Sequence, residues 1–162
     1  MNLDQQIKIL IDNAPQDGVT PTVIEQAVSP VVKLFANQLQ HLEYYVLQTL
    51  DQGWVLTTLS NRAKPNLEKK VIYAFATLKD AGNFQGSSDP QIMTTSLPVT
   101  HVLFQLFALK QVYSIVFMET PGNLTAGVEV KRADLENLIE TQLQQLRTSP
   151  KSSPSNIPSN IA

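Results

Sequence analysis

The sequence predicts an α+β protein: an antiparallel five-stranded sheet packed with helices, in the order α-α-β-β-β-α-β-β-α. Two observations predict this class. Four segments carry apolar residues at three-to-four-residue spacing, the helical period. Five shorter segments rich in aromatic, β-branched and Thr residues are separated by turn chemistry, which marks strands. At 162 residues and 43% apolar composition, the chain fits one domain with a core of its own.

The first helix is an addition at the N-terminus, over residues 1–13. Leu3, Ile7, Leu10 and Ile11 form its stripe, Asn2 is its N-cap, and Gln5 lies three positions later. No basic n-region opens the chain, so no secretory leader is expected and the mature protein should begin near Met1. Ala14-Pro15-Gln16-Asp17-Gly18 ends this helix, and Thr20-Pro21 then gives a cap followed by proline at the first helical position. The second helix runs to about Gln40 on Ile24, Ala27, Val28, Val31, Leu34, Phe35 and Leu39. Pro30 must kink or split it.

Tyr44 to Leu50 and Trp54 to Leu59 read as a hairpin about Asp51-Gln52-Gly53. Lys70 to Leu78 is a third strand, apolar on both faces and therefore central. Residues 79–97, with Gly82, Gly86, Ser87, Ser88 and Pro90, read as a long loop. A helix opens near Ser96-Leu97-Pro98 and runs to about Lys110, its stripe being Val99, Val102, Leu103, Leu106 and Phe107. Val112 to Met118 and Gly127 to Lys131 are the last two strands, joined through Thr120-Pro121-Gly122-Asn123. Asp134 and Glu136 sit favourably in the first turn of the final helix. Residues 1–147 form the α+β domain, and the Ser/Pro-rich segment 148–162 cannot bury enough apolar surface to offset its ordering, so it is expected to be a disordered tail.

From Pro21 onward the order αβββαββα is similar to the type III secretion chaperone-like fold. Leu50-Asp51-Gln52-Gly53-Trp54-Val55-Leu56-Thr57 and Glu119-Thr120-Pro121-Gly122-Asn123-Leu124 also resemble stretches of an uncharacterised family of small soluble proteins from photosynthetic bacteria. The first resemblance implies a small, often dimeric, mostly non-catalytic protein that binds partner chains as extended segments or pairs through helix and sheet surfaces. The second brings no activity with it.

Composition narrows the chemistry. The chain has no cysteine, which removes thiol nucleophiles, disulfides and thiolate metal sites. His41 and His101 lie 60 positions apart with no ligand pattern around them, so no metal and no cofactor are expected. No nucleophile elbow or phosphate-loop pattern appears, and the protein is expected not to be an enzyme. A formal charge of -2 gives no footprint for duplex nucleic acid or an anionic membrane. The nearest basic cluster is Arg62, Lys64, Lys69 and Lys70, which serves the alternative reading: an anion, small-ligand or single-stranded nucleic-acid binder using these residues and the 79–97 loop.

The leading expectation is a cytoplasmic, homodimeric interaction module. The central strands are apolar on both sides and only a few helices are available to cover them, so something else must cover the remainder. Val55 and Leu59 on the second strand, with Ile115 and Phe117 on the fourth, are the candidate interaction surface, provided the helices take the opposite face. The N-terminal helix, through Ile7 and Leu10, is the competing cover. Charge scarcity points to the same region, because residues 81–118 hold only Asp89 and Lys110 as ionised side chains.

Overall fold

In the computed structural model, which describes residues 1–51, 53–60, 68–85 and 89–148, helix α1 (Leu3–Asp12) carries the capping box its sequence encodes. Asn2 accepts from the N–H of Gln5 at 2.9 Å, and the Gln5 side chain accepts from the N–H of Asn2 at 3.0 Å. Helix α2 (Thr20–Val23) is capped from further back than Thr20. The Asp17 carboxylate accepts from the Thr20 N–H, the Thr20 hydroxyl and the Val19 N–H, and these bonds hold its pKa down at about 2. Pro30 acts through a π-helical turn, Ile24–Val28, that joins α2 to α3 (Ser29–Asn37). Pro30 has no N–H, and in a regular α-helix its ring would crowd the carbonyl of Gln26. A wider turn relieves that contact.

Strands β1 (Glu43–Thr49), β2 (Thr57–Ser60), β3 (Glu68–Phe75), β4 (Ile92–Pro98), β5 (Ser114–Met118) and β6 (Val128–Lys131) form one sheet. Its order is β4-β1-β3-β5-β6, and β2 pairs with β3. Helices α4 (Leu78–Gln85), α5 (Val99–Ala108) and α6 (Arg132–Thr148) complete the described elements. The sheet is six-stranded and mixed, which corrects the antiparallel five-stranded expectation: β3 and β5 run parallel, Ile72 opposite Ile115. After β3 the chain turns through α4, fills the far edge with β4, and crosses on α5. A helical crossover of that kind returns a strand parallel to its neighbour.

The second correction concerns 79–97, whose described residues hold a helix and a strand rather than one long loop. The Thr77 hydroxyl accepts from the N–H of Asp80, and Ala81 is fully buried, so packing and a cap outweigh Gly82. Ser96-Leu97-Pro98 belongs to β4, and α5 starts one residue later. The expected hairpin is short. Thr49 N–H donates to Gly53 O at 2.8 Å and Val55 N–H to Leu47 O at 3.0 Å, after which the chain leaves β1 and β2 pairs with β3. The expected tail beyond Thr148, and Gly86, Ser87 and Ser88, lie outside the described residues.

Helices α3, α5 and α6, with the π turn, cover one sheet face and bury Tyr44, Val46, Ile72, Ala74, Ile115, Phe117 and Val130. The opposite face carries Leu47, Phe75 and Met118 under α4. Helix α1 does not cover that second face; it lies on α5 and the π turn, in the helical layer. Gln6, 1% exposed, fixes it there. Its Nε2 donates to the carbonyls of Leu42 (2.9 Å) and Met1 (3.1 Å), while its Oε1 accepts from the N–H and hydroxyl of Thr100. All four hydrogen-bonding positions of this buried amide are used.

Candidate functional site

Strand alternation decides where the candidate surface residues go. Val71, Tyr73 and Phe75 of β3 share a face, and the β2 register places Thr57 opposite Val71 and Leu59 opposite Lys69. Val55 and Leu59 therefore lie on the less covered face, Val55 half-buried and Leu59 43% exposed. Ile115 and Phe117 have the other parity. Both are fully buried beneath the helices, so they are core residues and not part of an open patch. The β5 residue on the face of Val55 is Val116, half-buried beside Tyr73.

A larger feature was missed in the sequence because its strand was read as loop. β4 ends the sheet, and its sequence Ile92-Met93-Thr94-Thr95-Ser96-Leu97-Pro98 has no charged residue. Its phase is set by Val99 N–H donating to Leu42 O at 2.8 Å, which extends the β1–β4 register by one pair. Hydrogen-bonded pairs recur every second residue, so Met93, Thr95 and Leu97 bond to β1. The N–H groups of Thr94 and Ser96 then point away from the sheet. Ile92 closes one end by donating to Asp89 O at 3.0 Å. Pro98 closes the other, lacking an N–H where one would face outward. Met93 is 44% exposed. The β-branched residues Ile92, Thr94 and Thr95 and the charge gap of 81–118 were the signals available for finding this edge.

The basic cluster is only partly brought together. Arg62 and Lys64 lie outside the described residues. Lys69 and Lys70 line a cavity of about 420 Å³ together with Lys110 and Arg132, which sequence reading did not join to them. The Lys69 ammonium lies 4.4 Å from the centre of the Tyr113 ring, a cation–π contact. Arg132 is occupied: it donates to Phe107 O at 2.9 and 3.2 Å, satisfying the C-terminus of α5, and meets Glu136 at 3.2 Å. Glu68 also lines the cavity, so four cations face two carboxylates.

Both histidines serve the fold. His41 Nε2 bonds to Glu119 O at 2.8 Å and His101 Nε2 to Gln6 O at 3.0 Å; a carbonyl only accepts, so each Nε2 carries the proton. The buried Glu119 carboxylate accepts from the Gln40 N–H at 2.7 Å and from the Tyr44 hydroxyl. Burial first, and then the hydrogen bond and charge of Glu119, push the Tyr44 hydroxyl well above its ordinary pKa. Among the described residues no three His, Asp or Glu side chains converge to hold a metal ion, and no helix is long and apolar enough to cross a membrane. Neither the protein-family models nor the curated proteins compared with the chain gave a match.

Proposed function

We propose that this protein is a cytoplasmic, non-enzymatic interaction module that binds a partner polypeptide as an added strand on the free edge of β4. One observation carries the reading: a seven-residue edge strand without a charge, whose outward donors Thr94 and Ser96 have no partner among the described residues. Edge strands are ordinarily guarded by charge, proline or brevity. Main-chain bonds to Thr94 and Ser96 supply affinity, and pockets for alternate side chains supply selectivity. The half-open face with Val55, Leu59, Tyr73 and Val116 is the one that α4 covers in part, and its remainder is a second apolar surface of the module. The likeness to the type III secretion chaperone-like fold is part of this proposal. The described order from α3 contains α-β-β-β-α-β-β-α with α4 and β4 inserted after β3.

Selection from a random peptide library tests it. Peptides enriched on the protein are expected to be extended and to lose at least tenfold in affinity on Ser96→Pro, which removes one outward N–H and no bond to β1. Peptides held equally by both forms would count against the edge.

A second reading rests on the cavity of Lys69, Lys70, Lys110 and Arg132: an anion or single-stranded nucleic-acid binder. It predicts salt-dependent binding of a single-stranded RNA oligonucleotide that Lys69→Gln/Lys70→Gln abolishes. No binding at low salt would remove it.

A further inference from the structure

The free edge of β4 is itself a candidate to satisfy the free edge of β4. Resting on the strand-addition reading above, we infer that the occupant is a second copy of this chain, paired antiparallel with β4 about a two-fold axis through Thr95. Free donors are confined to Thr94 and Ser96 by the Asp89–Ile92 bond at one end and Pro98 at the other. With Thr95 opposite Thr95 of the second copy, Thr94 faces Ser96 and Ser96 faces Thr94. Each pair exchanges two main-chain bonds, so the axis makes four and leaves neither donor unpaired.

Neighbouring registers also use both donors, and the side chains select among them. Only the register centred on Thr95 sets Met93 across from Leu97 of the second copy, on the helix-facing side, twice by symmetry. Met93, 44% exposed in the single chain, is then covered by an apolar partner. On the other face Thr94 and Ser96 present hydroxyls to each other. Nothing on the strand repels its own image, because Ile92 to Pro98 hold no charge. An isologous contact requires that self-complementarity. The pairing joins two six-stranded sheets into one, and so short a contact places dissociation in the range of weak, concentration-dependent dimers.

Sedimentation velocity on the full chain across the micromolar range reads the outcome. The wild type is expected to pass from monomer to dimer, and Ser96→Pro to stay monomeric with an unchanged circular dichroism spectrum. Thr95→Lys and Thr95→Glu place like charges at the axis, so each alone is expected to be monomeric. Mixed, they are expected to recover the dimer, a readout that survives even if Ser96→Pro does not fold. A wild type that is monomeric throughout overturns the self-pairing but leaves strand addition standing if library peptides still distinguish Ser96→Pro. A dimer that persists in folded Ser96→Pro, or charge variants that do not rescue each other, also overturns it. If neither dimer nor peptide responds to Ser96→Pro, strand addition fails as well.

Discussion

β4 and β6 close the two ends of one sheet, and they close them differently. β6 is four residues long, Val128-Glu129-Val130-Lys131, with a charge at every second position. Val130 is buried under the helices and Glu129 accepts from the buried Ser114 hydroxyl at 2.7 Å. β4 is seven residues long, neutral, and paired to β1 along its whole length. Both are β-strands at an edge, yet only β6 has the brevity and charge that discourage a further strand. Between these two ends, the long uncharged edge belongs to β4 alone.

The comparison presumes that both ends belong to one cooperative sheet, and the Tyr44–Glu119 pair makes that testable. Tyr44 is on β1, next to β4, and Glu119 follows β5, next to β6. Glu119→Ala leaves the buried Tyr44 hydroxyl and Gln40 N–H without their acceptor, at a cost of about 3 kcal/mol in chemical denaturation. Tyr44 also contributes to the alkaline limb. Its folded pKa is raised above the ordinary value of 10.0, so its contribution is fully present below about pH 10 and is lost as pH rises further, when the unfolded chain ionises first. Stability measured above that pH is expected to fall in the wild type and to fall less in Tyr44→Phe. Equal alkaline slopes would show that the pair does not hold the sheet together.

Legibility along the chain follows the same division. The β6 half was readable: Val112 to Met118, the Thr120-Pro121-Gly122-Asn123 turn and the final helix all appear close to where periodicity and turn chemistry put them. The β4 half was not, because Gly82, Gly86, Ser87, Ser88 and Pro90 have the composition of a loop, while α4 depends on tertiary contacts of Ala81 and on the Asp80–Gly122 bonds at 3.1 Å. Missing β4 also hid the crossover and hence the parallel β3–β5 pair. The candidate surface was half legible for a related reason. Strand period separates Ile115 and Phe117 from Val116, but no local pattern says which set meets the helices.

Breaking the guarded end is the next largest effect. A Cβ on Gly127, just before β6, would lie 2.8 Å from Val116 Cγ1 and 2.9 Å from Phe117 O. Gly127→Ala must push β6 off β5 and is expected to cost about 2 kcal/mol, read as a lower denaturation midpoint. A smaller cost, about 1 kcal/mol for the lost Ser114 bond, accompanies Glu129→Thr/Lys131→Thr. That variant strips the charges from β6 and so leaves both ends of the β4-β1-β3-β5-β6 path neutral. Higher oligomers are expected in sedimentation where the wild type stops at the dimer, since two open edges propagate. A double variant that sediments like the wild type would mean that brevity alone protects β6.

The smallest stability effect separates edge chemistry from fold stability most cleanly. Thr94 is half-buried on β4, its N–H directed away from β1. Thr94→Lys keeps that N–H and the whole β1 ladder, so the folded chain is expected to change by no more than about 0.5 kcal/mol. It nevertheless gives β4 one charge, where β6 already has two. In the dimer two lysines then lie near the axis, each next to the Ser96 of the other copy, and an incoming peptide meets the same cation. Loss of dimer and of library peptides at unchanged thermal midpoint is the expected result, and it would assign the difference between the two ends to side-chain charge. Retained association would assign it instead to strand length and to the main-chain donors, one of which Ser96→Pro removes while Thr94→Lys keeps both.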